Sequence, residues 1–152
     1  MQVYDYLKAA VKRHLEETMP LIQQLKDVDI MSKPVSGVRE IGEVVLHLIR
    51  SLEYYMKGLV TGQWEALPYT LESYDSAEAI IDLAESVFKT VKMYSSLVPE
   101  VDLFRVIDRF NRPATVAEII VEMLEHSIHH RGQITVYYRL LGFTPHKIEY
   151  II

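Results

Sequence analysis

Glu125-His126-Ser127-Ile128-His129-His130-Arg131-Gly132-Gln133, set within a longer run from Thr115 to Gly142, is the stretch that decides the fold of this chain. Thr115 followed three residues later by Glu118 is the signature of a capping box, and Gly142 with Pro145 supplies the stop signals. Between them Ile119, Met123, Ile134, Tyr137 and Leu141 recur at helical spacing, predicting one long helix that ends at Leu141. His126 and His130 are four residues apart, so at about 100° per residue they share one face, one turn apart. They fall inside the apolar column and are expected to face the core; His129, about 100° away from His130, is expected to face outward.

Working outward, the same periodicity marks three more helices. Val3, Leu7, Ala10, Val11, Leu21, Ile22 and Leu25 define the first, with Pro20 expected to kink or split it. A second is expected to start after Ser36 as N-cap and to carry Ile41, Val44, Val45, Leu48, Leu52, Tyr55 and Leu59 before stopping at Gly62. Gln63 to Tyr74 reads as a loop holding Trp64 and Pro68. Asp75 and Glu78 resemble a capping box for a third helix, which buries Ile80, Ile81, Ala84, Val87, Phe88 and Val91 before Pro99. Val101 to Pro113 fits neither period and is expected to be irregular or a short hairpin. Four amphipathic helices in one short chain predict an all-α four-helix bundle, a fold that places metal sites in its core.

Composition bounds the function. A length of 152 residues suits one domain, here 1–152, and 49% hydrophobic with 24% charged residues excludes a disordered chain. A net charge of −5 argues against nucleic-acid binding, which needs clustered Lys and Arg. No apolar run approaches the roughly 18 residues of a membrane span, and the charged, amphipathic start is no secretory signal. A cytoplasmic protein that engages no membrane is expected. With no cysteine, any metal must be held through nitrogen or oxygen.

Two inward imidazoles one turn apart chelate a divalent metal, or else serve as polar core residues that each need several hydrogen bonds. The carboxylates supply neither the Glu-x-x-His pair of di-iron bundles nor the His-Glu-x-x-His of zinc proteases. A third ligand would therefore be His14 or His47. His14 shares the apolar face of its helix with Leu7, Ala10 and Val11, so periodicity slightly favours it. His47 sits at the edge of its helix's apolar stripe, in a column with Glu43, Ser51 and Tyr54. Gly132 costs its helix roughly 1 kcal/mol relative to alanine, so it is read as a point of close helix approach or as open space beside a metal. Arg131 reads as a surface or interface salt-bridging residue.

The stretch from His126 to Ile134, followed by Leu140-Leu141-Gly142, resembles the last-helix signature of the DinB/YfiT-like family of metalloenzymes. Val45-Leu46-His47-Leu48, trailed by an aromatic-rich turn and Gly62, is similar to that family's first metal motif. The likeness spans the chain in helix order. It implies an up-down-down-up bundle with a long connection, commonly a homodimer. It also implies one divalent transition metal (zinc, nickel or iron) on His47, His126 and His130. Leu46, Ile49, Met56 and Val60, which widen the apolar surface of the second helix, fit the expectation of a dimer. Some relatives transfer low-molecular-weight thiols to electrophiles and others are hydrolases or isomerases.

Three neutral imidazoles leave coordination positions for water or a substrate thiol, which gives a nucleophile without a protein cysteine. Glu43, one turn before His47, is the candidate proton-transfer residue; Glu122 stands likewise to His126 but reads more simply as a solvated charge. Tyr54, Tyr55 and Tyr137 are candidates to line a pocket. The sequence thus predicts a metal-dependent enzyme acting on a small molecule, by thiol transfer or hydrolysis. The alternatives are a non-catalytic metal- or ligand-binding bundle and a dimeric interaction protein.

Overall fold

In the computed structural model, which describes residues 2–151, the chain is an up-down-down-up four-helix bundle. Its helices are α1 (Val3–Gln23), α2 (Ile41–Thr61), α3 (Ala77–Leu97) and α4 (Val116–Leu140). Cross-helix bonds fix their directions. Tyr4 at the start of α1 donates to the carbonyl of Val98, just past the end of α3, so these two run antiparallel. His14 meets Ser127 and Glu17 meets Arg131, so α1 and α4 run parallel. Tyr137 reaches Arg39 while His47 reaches His126, so α2 and α4 run antiparallel. The main packing joins α2 to α3 and α4, and α1 to the same two, which leaves α1 and α2 on one diagonal.

α2 is the wrapped element. From Ile41 to Val60 no residue is exposed, and Leu46, Ile49 and Met56 are buried within this one chain. Three of the four residues that widen its apolar surface are therefore used within the bundle, while Val60 is half-buried. The connection 62–76 helps cover this helix: the Trp64 ring lies so close to Gly58 that a Cβ there would sit 2.2 Å from the indole.

Several boundaries differ from expectation. α1 runs unbroken through Pro20, because the lost hydrogen bond falls in its last turn, where a 3₁₀ turn (Gln24–Asp27) takes over. α2 begins at Ile41, not after Ser36. Its N-cap, Glu40, makes no side-chain bond; instead the N–H groups of Ile41 and Gly42 donate to the carbonyls of Ser32 and Ile30. α3 is capped by Ser76, whose hydroxyl accepts from Ala79 N–H, one residue beyond the Asp75 expected. The capping box of α4 forms as expected, with Thr115 and Glu118 bonded reciprocally. Gly62 and Gly142 end α2 and α4 with φ of 74° and 89°. The stretch before α4 is a 3₁₀ turn (Glu100–Asp102) and a hairpin pairing Val106–Ile107 (β1) with Ala114–Thr115 (β2). Among the described residues no helix is long and apolar enough to cross a membrane.

Candidate metal centre

His47 projects from α2, and His126 and His130 from successive turns of α4, into the seam between these antiparallel helices. The Nε2 atom of His126 lies 3.2 Å from Nε2 of His47 and 3.2 Å from Nε2 of His130. The rings meet edge to face, with centroids 4.5–5.1 Å apart. All three side chains are half-buried, and each offers a nitrogen within 4.8 Å of the other two. His129 is exposed, as its helical angle predicts.

These residues fit a divalent ion. A ring nitrogen carries either one proton or one lone pair, so Nε2 of His126 can form one good hydrogen bond, yet it has two nitrogen neighbours at 3.2 Å. Metal–nitrogen bonds of about 2.0–2.1 Å in a tetrahedral arrangement put neighbouring nitrogens roughly 3.3–3.4 Å apart. The opposite nitrogen of the same ring, His126 Nδ1, is buried with no hydrogen-bond partner.

Electrostatics keeps the three rings neutral, the form that binds metal. Burial, then the His130 and Arg50 charges, lowers His47 from 6.5 to about 4. Burial followed by the neighbouring histidines lowers His126, and Glu122 opposes this. Burial also lowers His130, against the opposing bond from its Nδ1 to Gln133 Oε1 at 2.9 Å.

The surrounding shell contains residues that the sequence left unassigned. Arg50, three residues after His47 and so on the same side of α2, places Nη2 3.3 Å from His47 Nδ1. The same nitrogen donates to Glu43 Oε1 at 2.5 Å, while Nη1 donates to the Tyr69 carbonyl at 3.0 Å. Glu43 thus reaches the site through Arg50 and makes no bond to a histidine. Glu122 is exposed and makes no hydrogen bond to His126; the Tyr55 ring lies 6.5 Å from that imidazole. The i, i+3 spacing of His47 and Arg50 was the available signal for Arg50.

His14 belongs elsewhere. It is 3% exposed on the far side of α4, and both its nitrogens are used. Nε2 sits 2.6 Å from Ser127 Oγ and Nδ1 3.2 Å from Arg131 Nη1. Burial, then Arg131, lowers it to about 3, so it is neutral: Nδ1 accepts from the guanidinium and Nε2–H donates to the serine. Arg131 forms a salt bridge, as expected, donating to Glu17 at 2.9 Å, but at 6% exposure it does so buried and not at the surface. Gly132 does not admit a neighbouring helix, since a Cβ there would meet nothing within 4 Å.

Comparison with known proteins agrees with this architecture. The DinB family model matches residues 1–152. The uncharacterized protein YjoA of Bacillus subtilis is 27% identical over 135 residues, covering 86% of each chain. The crystal structure of that DinB-like protein superposes with a TM-score of 0.78 at 20% identity, covering 97% of this chain and 99% of its own. A DinB-like protein from Bacillus cereus gives 0.74 at 24% identity, covering 90% and 91%. With the last-helix histidine signature, the bundle topology and a family match over its full length, the chain belongs to the DinB family.

Proposed function

We propose that the protein is a metal-dependent enzyme that acts on a small molecule, by thiol transfer or hydrolysis, with one divalent transition metal (zinc, nickel or iron) on His47, His126 and His130. The observation that carries this reading is the pair of 3.2 Å nitrogen contacts converging on His126 Nε2, which hydrogen bonding alone cannot satisfy together. A divalent ion bound there supplies a Lewis acid that lowers the pKa of water or of a substrate thiol. Three imidazoles make an incomplete ligand set for such an ion, so positions remain for a non-protein ligand.

The chain's own residues divide the remaining work. Gln133 orients His130 through Nδ1, fixing the face it presents to the site. Arg50 stands behind His47 and links it to Glu43, the carboxylate to which this reading assigns proton transfer. Metal analysis of protein purified without a polyhistidine tag tests the proposal. About one equivalent per chain is expected in the wild type and almost none in His130→Ala, because two imidazoles hold a divalent ion weakly. A screen of thiol cofactors with electrophiles, and of hydrolysable esters and amides, follows on the loaded protein. Glu43→Gln is expected to keep the metal and slow turnover about 10²-fold; unchanged turnover removes Glu43 from proton transfer. Equal activity in metal-free His130→Ala overturns the metal mechanism.

A further inference from the structure

The side of α4 turned away from the histidine triad carries a different chemistry. Arg131, Gly132, Thr135 and Arg139 of α4, with His146 and Lys147 of the C-terminal tail, line an open cavity of about 610 Å³. Small-molecule sites commonly fall between about 300 and 1,000 Å³. The tail that forms one wall is fastened in place: the Gln24 side chain donates to the Thr144 carbonyl at 3.0 Å and accepts from His146 N–H at 2.6 Å. Pro145 between them is buried.

The charge of this cavity opposes that of the chain. Arg131, Arg139 and Lys147 face it and, among the described residues, no carboxylate lines it, in a protein of net charge −5. Glu149 lies 3.3 Å from Lys147, but both are about four-fifths exposed and the pair is weak. Arg131 is the anchor. Its side chain is 7% exposed, and both its bonds, to Glu17 and to His14, run through Nη1. Among the described residues Nε and Nη2 form none, and the fully enclosed polar side-chain atom lacking a partner is His126 Nδ1 alone. The spare donors of Arg131 therefore open onto space. Arg131 lines both this cavity and an adjoining one of about 530 Å³ between α1 and α4; Glu17, Glu125 and Glu149 line the adjoining one, so the carboxylate-free surroundings of Arg131 are those of the cavity beside the tail. A nearly buried guanidinium with a free N–H edge is matched by the paired oxygens of a carboxylate or phosphate.

Gly132 completes the case. A helix-interior glycine costs about 1 kcal/mol relative to alanine, and here it allows no close packing in return. What its missing side chain keeps is an open wall beside Arg131.

We propose that the cavity between α4 and the C-terminal tail binds a small organic oxyanion, a carboxylate or a phosphate ester, with its charged head on Arg131 and Arg139. The site is separate from the triad and stands whether or not a metal binds there. Titration of the ¹⁵N-labelled full chain with inorganic phosphate and, separately, with hexanoate tests it, at ionic strength held constant with sodium chloride. Saturable shifts are expected at the amides of Gly132 and Thr135, and whichever probe saturates at lower concentration identifies the head group. Arg139→Gln is expected to weaken binding at least tenfold, and Gly132→Phe, whose ring enters the open space, to abolish it. Shifts that never saturate, that sodium chloride reproduces, or that persist unchanged in both variants overturn the proposal.

Discussion

Coordination through Nε2 leaves the remaining proton of His47 on Nδ1, and a protonated Nδ1 cannot accept from Arg50. Metal binding and the Arg50 contact therefore compete for one ring, and Arg50 adds a positive charge close to where the ion would sit. Arg50→Met is expected to tighten metal binding several-fold in a chelator competition; weaker binding would make Arg50 a support of the site. At this scale the sequence was legible in part. The i, i+4 pair His126 and His130 follows from helical geometry alone. His47 does not, because the stripe model assumes a helix with one solvated face, and α2 has none between Ile41 and Val60. On such a helix the edge of the strongest stripe is simply the side that meets α4. His14 misled for the opposite reason. It does face inward, but toward Arg131 and Ser127, and periodicity cannot report which neighbour an inward residue meets.

Among the elements, α4 carries the clearest local signals and the clearest tests. Thr115→Ala removes the hydroxyl that caps the Glu118 N–H and is expected to cost about 1 kcal/mol in urea unfolding. Gly132→Ala is expected to gain up to about 1 kcal/mol, since the new methyl meets no atom; a loss would mean that the backbone there resists the change. The start of α2 was illegible for a physical reason. Its first N–H groups are satisfied by main-chain carbonyls of Ile30 and Ser32, and a carbonyl acceptor leaves no residue-type signature. The side-chain cap of α3 was misread by one position because Asp75 and Ser76 are both good caps, and only the backbone turn chooses between them.

Across the whole molecule, α4 separates two kinds of histidine environment, and both hold imidazole neutral. His14 stays neutral down to about pH 3, while its ordinary value is 6.5. Well above pH 6.5 it is uncharged in both the folded and the unfolded chain. Below that, the unfolded chain takes a proton that the folded chain refuses, so stability falls as pH drops toward 3. His47, His126 and His130 shift in the same direction and add to the slope. Unfolding free energies at pH 7 and pH 5 are expected to differ by more than 1 kcal/mol, with His14 contributing at most about 1.4 kcal/mol per pH unit. His14→Asn should flatten the profile; an unchanged profile would place the linkage in the triad.

The triad also has a topological side. Two of its members belong to one helix, and the third lies 79 positions away in the chain. An ion seated there would work as a clasp, closing a loop of that length and restricting the unfolded chain far more than a local staple would. Its grip would be confined to the α2–α4 seam, since α1 and α3 supply no member of the triad. Adding zinc is therefore expected to slow amide exchange along α2 and α4 first, leaving the α1–α3 pair close to its metal-free rates. Protection rising evenly over all four helices would instead describe a bundle that opens only as a single unit.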